Sequence, residues 1–276
     1  MSCGTALAAC VAVALGSAAI AQDWYGWQGY RTRREAPRFA APGDFDGGFN
    51  FCRIMYTSGR REAGGQGWWT DYPDADHHLS IRLSQMTTMH VGLDARGEPR
   101  HVVVPLTDPA LFRCAFTMIE DAGTAAFTDE EAAALRAYLL KGGFLWVDDF
   151  WGDRAWQAWT EEIGRVLPPA QYPIFDLSID HPIFRGLYHV GRLPQIPSIQ
   201  FWSTNGGATS ERGAESAEPH ARAIADARGR VMVFMTHNTD IADAWEREGE
   251  NDEFFYLFSI DGYAVGINVV LYALTH

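Results

Sequence analysis

The chain has 276 residues and a formal net charge of −13. Such an acidic protein is repelled by the phosphate backbone of nucleic acids and by anionic membranes, so neither is expected as a partner. The length fits one large α/β domain preceded by a short processing segment.

The N-terminal segment has the features of an export signal. Residues 5–20 are apolar or small, and a small-x-small cleavage pattern ends at Ala21. We predict a signal peptide over residues 1–21 and a periplasmic or secreted mature chain without a transmembrane span. The alternative is a lipoprotein, because the residues before Cys10 also resemble a lipobox.

The next segment is rich in Gly, Arg, Pro and aromatic residues and shows neither a strand period nor a helix period. We predict an extended leader or linker over residues 22–48. A single α/β domain is predicted over residues 49–276.

Strands and helices alternate along the predicted domain. Apolar runs predict strands over residues 49–56, 102–106, 115–119, 144–147, 172–177 and 231–236. Apolar residues at helical spacing predict helices over residues 74–89, 129–141, 154–167 and 252–275. A stretch rich in Gly, Ser and Glu predicts an exposed loop over residues 205–219. The alternation predicts a three-layer α/β sandwich with a mostly parallel sheet and helices on both faces.

The second predicted helix has clear end signals. Thr128 and Glu131 have the spacing of a capping box, in which each side chain bonds the backbone of the other. Gly142 follows the last turn, where glycine commonly ends a helix.

Two cysteines remain after removal of the predicted signal, Cys52 and Cys114. They could form one disulfide in an oxidising compartment or be two buried thiols in neighbouring strands. Free cysteine behaves as a small core residue, and this favours the interpretation as two thiols.

Two adjacent carboxylates follow a short buried strand. Asp148 and Asp149 come directly after the apolar run 144–147, which is where open α/β sheets place their ligand crevice. They could act as a general acid/base pair or as ligands for a hard metal. In the alternative, one carboxylate caps the next helix near Trp151 and the other pairs with an arginine.

An aromatic cluster follows the first predicted strand. Trp68, Trp69 and Tyr72 surround Asp71, and aromatic rings beside a carboxylate suit a sugar or a peptide. The alternative is a structural plug, in which the rings cover the end of the sheet.

A third group of polar residues follows the strand 231–236. Asn238, Asp240 and Asp243 come after this strand, and the carboxyl ends of parallel strands meet at one edge. We therefore predict one acidic pocket formed by these residues, Asp71 and the Asp148 pair, with the tryptophans nearby. The alternative role is capping of a short helix.

His181 is a further candidate ligand-binding residue, although a lone histidine is more often a structural hydrogen-bonding group. The adjacent pair His77 and His78 does not share a helix face, so joint metal binding is not expected. Motifs for a nucleophile elbow, a phosphate loop, dinucleotide binding and a zinc protease are absent from the sequence. We expect no cofactor and no dedicated metal site.

Several motifs together resemble a known domain family. They are G-W-W-T-D-Y-P, the segment T-D-E-E-A-A-A-L-R-A-Y-L-L-K-G-G-F-L-W-V-D-D-F-W-G, H-P-I-F, N-T-D-I-A-D-A-W-E and G-I-N-V-V-L-Y-A-L. Over residue 49 to the C-terminus the chain resembles an uncharacterised bacterial domain family. That family also occurs as the C-terminal part of membrane proteins related to the aerotolerance operon, and the resemblance implies no reaction.

This family is similar in turn to the class I glutamine amidotransferase-like superfamily, including domains of the trehalose-utilisation type. The resemblance implies a flavodoxin-like three-layer sandwich. The chain departs from true amidotransferases because it has no nucleophile-elbow cysteine, and Pro182 and Ile183 follow His181 where a glutamate would complete the triad. Amidotransferase chemistry is therefore not expected.

Two functional classes follow from these residues. The first is a non-catalytic binding or scaffold domain that holds a small polar ligand, a glycan or an envelope protein. The second is a hydrolase of a sugar or amide-like substrate, with Asp148 or Asp149 as acid/base and with or without a divalent metal. The sequence does not decide whether the protein is an enzyme.

Overall fold

The computed structural model describes residues 36–62 and 64–276. The predicted signal peptide, including Cys10, and most of the predicted leader lie outside the described residues. All statements below concern the unit Pro37–His276.

The centre of the domain is a seven-stranded sheet with strand order β2-β1-β3-β4-β7-β6-β5. The strands are β1 (Phe51–Met55), β2 (His101–Pro105), β3 (Thr117–Ile119), β4 (Leu145–Val147), β5 (Phe175–Asp176), β6 (His220–Ala225) and β7 (Val231–His237). The first five strands in spatial order are parallel to one another. β6 runs antiparallel to both β7 and β5. The prediction of an α/β fold with a mostly parallel sheet is therefore confirmed.

One strand was missed in the sequence. β6 begins at His220, directly after the stretch that was predicted as an exposed loop. Its residues are only partly buried at first, with Ile224 and Ala223 reaching the core. A strand next to the sheet edge needs few apolar residues, so its sequence gives a weak signal.

The first four helices lie in the connections between strands, and the last three follow the final strand. They are α1 (Asp74–Met86), α2 (Asp129–Leu140), α3 (Gly152–Val166), α4 (Ile199–Thr204), α5 (Asp243–Glu246), α6 (Asp252–Phe254) and α7 (Ile260–Thr275), and a π-helical turn (Phe255–Ser259) joins α6 to α7. The predicted capping box is present, since the Thr128 hydroxyl accepts from the Glu131 amide at 3.1 Å and Glu131 accepts from the Thr128 amide at 2.8 Å.

The two faces of the sheet bury separate hydrophobic clusters. In β4, Leu145 and Val147 pack on the face covered by α2 and α3. Trp146 between them packs on the opposite face, against residues of α1 and α7. This alternation follows from the two-residue period of a strand, and it gives three layers with the sheet in the middle.

Cys52 and Cys114 form a disulfide, so the interpretation as two thiols was wrong. Cys114 does not lie in a strand but ends the 3₁₀ helix Pro109–Arg113. This short helix brings its Cα within 6.2 Å of the Cα of Cys52 in β1, a separation that a disulfide spans.

The described part of the predicted leader contacts the edge of the sheet. Phe39 forms an isolated parallel bridge with Val103 of β2. The Arg38 amide donates to the Tyr72 hydroxyl at 2.9 Å. These contacts extend the ordered part of the chain N-terminal to the predicted start of the domain.

One helical stretch of the described chain, Asp252–Thr275, is long and apolar enough to cross a membrane. Its most apolar window is 61% buried inside the domain. Burial of this kind is also found in the core helices of domains that span no membrane, so the length and composition alone are weak evidence for a span.

Candidate functional site

An acidic cleft lies at the carboxyl edge of the parallel strands. Its volume is about 560 Å³, including space open to solvent. Eight carboxylate side chains and two guanidinium groups line it: Glu62, Asp71, Asp121, Asp149, Glu211, Asp240, Asp243, Glu246, Arg212 and Arg247. We use "acidic cleft" below for the space that these residues line.

Four residues other than glycine have left-handed backbone conformations, among those the structure describes. They are Asp71 (φ 61°), Asp121 (φ 49°), Asp149 (φ 49°) and Asn238 (φ 61°). Asp and Asn adopt this region more readily than other side chains, at some cost in backbone energy. Each lies in a segment that leaves a strand at this edge, and strained backbone often marks a functional site.

Three of the carboxylates approach one another closely. One oxygen each from Asp71, Asp240 and Asp243 lie within 4.8 Å of one another. The Asp243 amide donates to Asp240 Oδ1 at 2.8 Å, and the Ile199 amide donates to Asp243 Oδ2 at 2.8 Å. Asp71 Oδ2 is buried and has no hydrogen-bond partner among the described residues.

Burial and mutual repulsion favour the protonated form of these three groups. Burial raises the pKa of Asp71 well above its usual value, and the neighbouring Glu246 carboxylate adds to the effect. The pKa of Asp240 is raised well above its usual value by burial and then by Asp71. The same two causes raise the pKa of Asp243 to about 7. The cluster therefore lacks the positive charge that would let all three ionise together.

Asp149 and Asp121 form another part of the cleft wall. Asp149 Oδ1 accepts from the Trp151 indole N–H at 2.9 Å, and Asp121 Oδ2 accepts from the Gly67 amide at 2.7 Å. Burial raises the pKa of Asp149 well above its usual value, with a further contribution from Asp71. Burial also raises the pKa of Asp121 to about 7, although the Gly67 hydrogen bond opposes it.

The Asp148 side chain lies in a different environment from that of Asp149. It is fully buried and does not line the acidic cleft. Its Oδ1 accepts from the Thr236 hydroxyl, and its Oδ2 accepts from the Ala242 amide at 3.0 Å. Burial raises the pKa of Asp148 to about 7, and the bond from Thr236 opposes that shift. Asp148 thus ties β4 to β7 and to the segment that carries Asp240.

The candidate aromatic residues also differ in whether they line the acidic cleft or pack in the core. Trp68, Trp69 and Tyr72 are 7%, 9% and 7% exposed and belong to the core cluster beside α2 and α3. None of these three lines the acidic cleft, whereas Trp151 does. The packing of the first three agrees with the structural-plug interpretation.

Asn238 and His181 do not line the cleft. Asn238 Oδ1 accepts from the Gly152 amide at 2.8 Å and its Nδ2 donates to the Glu218 carbonyl at 3.0 Å, so it fixes the start of α3. His181 Nδ1 accepts from the Ile183 amide, and its ring lies 5.4 Å from that of Tyr272. The Tyr272 hydroxyl accepts from the Val231 amide, which places His181 at the opposite, amino end of β7.

A buried ion-pair network, missed in the sequence, connects α1 to β1 and β3. Arg53 and Glu120 are both 0% exposed. Arg53 forms an ion pair with Asp76 and another with Glu120 Oε1 at 3.3 Å. Burial raises the pKa of Glu120 well above its usual value, and the carboxylates of Asp148 and Asp71 are also close enough to raise it.

Asp121 and Glu120 could have been found by the reasoning that identified Asp148. They directly follow β3, just as the Asp148 pair directly follows β4. Glu246 was also missed; burial and Asp243 raise its pKa to about 8. Arg247 partly balances this charge, since its Nε lies 2.5 Å from Glu246 Oε2 and 3.6 Å from Asp243 Oδ1.

A family model described as a domain of unknown function, DUF4159, matches residues 50–274 of the chain. No curated protein matches the chain.

Proposed function

The chain belongs to this domain family of unknown function, and we propose that it is an exported, non-catalytic binding domain whose acidic cleft takes a small, positively charged polar ligand. The observation that carries the proposal is the charge of the lining, with eight carboxylates against two guanidinium groups. A ligand with positive charge supplies the counter-charge that the described residues lack.

The size and chemistry of the cleft support a ligand of modest size. The space inside the cleft that the centre of a water-sized sphere can occupy is about 70 Å³, well below the roughly 300–1,000 Å³ of drug-sized sites, so the ligand must be small or partly exposed to solvent. Carboxylate oxygens accept hydrogen bonds from ammonium and hydroxyl groups, and Trp151 adds an apolar residue to the lining. An amine, or a sugar that carries an amino group, combines these features.

The positions of the candidate catalytic residues favour binding over catalysis. Both oxygens of Asp148 already accept hydrogen bonds within the fold. Asp149 lines the cleft beside other carboxylates, and the sequence contains no recognisable pairing of a nucleophile with a base. A binding role requires only the negative charge and the shape of the acidic cleft.

We also propose that the protein is exported and that its domain is related to a known superfamily. The Cys52–Cys114 disulfide supports an oxidising compartment, and N-terminal sequencing of protein from the native cell envelope would test cleavage after Ala21. The parallel strand order β2-β1-β3-β4-β7 supports the flavodoxin-like class and the class I glutamine amidotransferase-like superfamily. A link to aerotolerance-related membrane proteins is proposed from motif resemblance alone.

A ligand panel tests the binding proposal. We would measure thermal shifts in EDTA with glucosamine, a diamine, glucose and gluconate, so that charge varies within one size range. The cationic compounds should raise the melting temperature, since a ligand at 100 times its Kd stabilises by about 2.7 kcal/mol. Asp149→Asn should weaken this shift, and Asp261→Asn, which removes an exposed carboxylate outside the cleft, should preserve it. Equal shifts with glucose or gluconate would contradict the proposal.

One observation favours hydrolysis of a sugar or amide-like substrate as a second candidate. Asp121 and Glu246 line the cleft, and their pKa values are raised to about 7 and about 8, which suits a general acid near neutral pH. Asp149 would then be the second carboxyl group. Turnover of chromogenic glycosides or amides that is lost in Asp121→Asn, while binding remains, would support this candidate over the first.

A further inference from the structure

We propose that Asp71, Asp240 and Asp243 bind a hard divalent cation, with Ca²⁺ preferred to Mg²⁺. This inference rests on the proposed cation-binding role of the acidic cleft and names one cation that the cleft holds. It assigns a metal site where the sequence predicted none.

The spacing of the three carboxylates fits a calcium ion. One oxygen from each residue lies within 4.8 Å of the other two. Oxygens bind Ca²⁺ at about 2.3–2.6 Å, so two ligands on opposite sides are separated by roughly 4.6–5.2 Å. Mg²⁺ requires about 2.0–2.1 Å, which brings opposite ligands to roughly 4.2 Å, in near-ideal octahedral geometry. Separations of at most 4.8 Å let all three oxygens reach either ion. Mg²⁺ usually keeps several waters and is held by one or two carboxylates, so a set of three carboxylates favours Ca²⁺.

An unsatisfied oxygen provides a second observation that points to a ligand. Asp71 Oδ2 is buried and has no hydrogen-bond partner among the described residues. Asp240 is 3% exposed and lines the cleft, and its Oδ1 accepts from the Asp243 amide. Leaving a buried oxygen such as Asp71 Oδ2 without a partner is costly, and a cation held between Asp71 and Asp240 would supply one.

A further unsatisfied group lies in the same region of the sheet edge. Glu120 is 0% exposed, and its Oε2 has no hydrogen-bond partner among the described residues. The carboxylates of Asp71, Asp148 and Asp149 are close enough to raise its pKa. Arg53 supplies positive charge to this region through its ion pair with Glu120 Oε1.

The donor set selects the class of metal. Neither histidine nor cysteine is among the described residues that line the cleft. Oxygen-only sites suit Ca²⁺, Mg²⁺ or Mn²⁺, whereas zinc and copper sites use nitrogen or sulfur ligands. Arg247 Nε is 3.6 Å from Asp243 Oδ1 and also pairs with Glu246, so it neutralises this cluster only in part.

Calorimetric titration of the full chain with CaCl₂ and MgCl₂, after removal of metal with EDTA, tests the proposal. We expect saturable Ca²⁺ binding, at least tenfold weaker Mg²⁺ binding, and a rise in melting temperature with Ca²⁺. Asp240→Asn should weaken Ca²⁺ binding at least tenfold. It should not lower the melting temperature of the metal-free protein, because asparagine keeps an oxygen for the Asp243 amide with little change in shape. Asp261→Asn is the matched control and should bind Ca²⁺ like the wild type.

Two results would overturn the inference. One is unchanged Ca²⁺ affinity in Asp240→Asn, which would place any bound ion elsewhere. The other is no response to Ca²⁺ in a wild-type chain that still binds organic cations in EDTA, which would leave the proposed function standing without the metal site. If neither the metal ions nor the organic cations bind, both the inference and the proposed function fail.

Discussion

Asp149 lines the acidic cleft and also shapes the backbone between β4 and α3. Its φ of 49° lies in the left-handed region, and its Oδ1 accepts from the Trp151 indole. An aspartate is one of the few side chains that tolerates this backbone. The left-handed turn at this position therefore favours a residue that also places a carboxylate in the cleft. Most substitutions of Asp149 change the backbone strain and the charge of the cleft together.

Two substitutions at this position separate backbone strain from side-chain chemistry. Asp149→Ala and Asp149→Gly both remove the carboxylate, but only glycine adopts a positive φ without strain. We expect the glycine variant to be the more stable by about 0.5–1 kcal/mol, the left-handed penalty less the extra chain entropy of glycine. Urea unfolding measures the difference. Greater stability of the alanine variant would mean that the turn rearranges.

Asp148 is expected to matter for folding. Its two oxygens accept from the Thr236 hydroxyl and the Ala242 amide inside the core. Asp148→Ala leaves the buried Ala242 amide without a partner, which costs about 1–3 kcal/mol, whereas the Thr236 hydroxyl can still donate to the Val147 carbonyl at 3.2 Å. We expect the variant to lose about 1–3 kcal/mol in urea unfolding. A loss below about 0.5 kcal/mol, the range of ordinary surface changes, would contradict this role.

At the scale of elements, the disulfide fastens β1 to the segment that precedes β3. It joins Cys52 and Cys114 across a sequence separation of 62 residues. Closing a loop of that length in the unfolded chain removes entropy worth about 4 kcal/mol, and measured effects are commonly about 2–4 kcal/mol. The bond therefore supplies a sizeable share of the stability of an ordinary domain, which is about 5–15 kcal/mol.

The double variant Cys52→Ala/Cys114→Ala tests this contribution. We expect it to be less stable than the oxidised wild type by about 2–4 kcal/mol in urea unfolding. The wild type in reductant should approach the stability of the variant, and the variant itself should not respond to reductant. Equal stability of oxidised wild type and variant would show that the bond adds nothing.

Elements with strong local signals were predictable, and those that depend on long-range pairing were not. The ends of α2 follow from Thr128, Glu131 and Gly142, which act within a few residues. β6 carries few buried residues and is held by pairing with β7 and β5, so its own sequence gives little sign of a strand. The disulfide depends on where the 3₁₀ helix before Cys114 leads the chain, which spacing alone does not reveal.

For the whole molecule, the sequence predicted that the carboxylates gather at one edge of the sheet. It did not predict which contacts each carboxylate makes there. Asp71, Asp149, Asp240 and Asp243 meet at one cleft, because the carboxyl ends of parallel strands share an edge. Which carboxylates enter the cleft depends on tertiary hydrogen bonds, such as those that hold Asp148 in the core. Sequence also cannot distinguish a tryptophan plug from a binding platform, since both place rings at a strand end.

The concentration of buried carboxyl groups also predicts how the whole molecule responds to pH. Asp121 has a folded-state pKa of about 7 and an ordinary value of 3.8. Between these values the folded chain holds a proton that the unfolded chain has lost. The stability from this group is therefore complete below the ordinary pKa and is lost as pH rises through the folded-state pKa. Buried histidines act in the opposite direction, since the pKa of His237 is lowered to about 3 by burial.

Comparison of wild type with Asp121→Asn isolates the carboxyl contribution, because the histidines are common to both proteins. In EDTA, we expect the stability of the wild type to fall relative to the variant as pH rises from about 4 to about 7. The difference between the two slopes cannot exceed one proton, or about 1.4 kcal/mol per pH unit. Asparagine tolerates the left-handed backbone at this site and retains an oxygen for the Gly67 amide, so the fold should be preserved. Urea unfolding at a series of pH values measures both curves. Parallel curves would mean that Asp121 is ionised in the folded protein, and that the cleft already tolerates its negative charge.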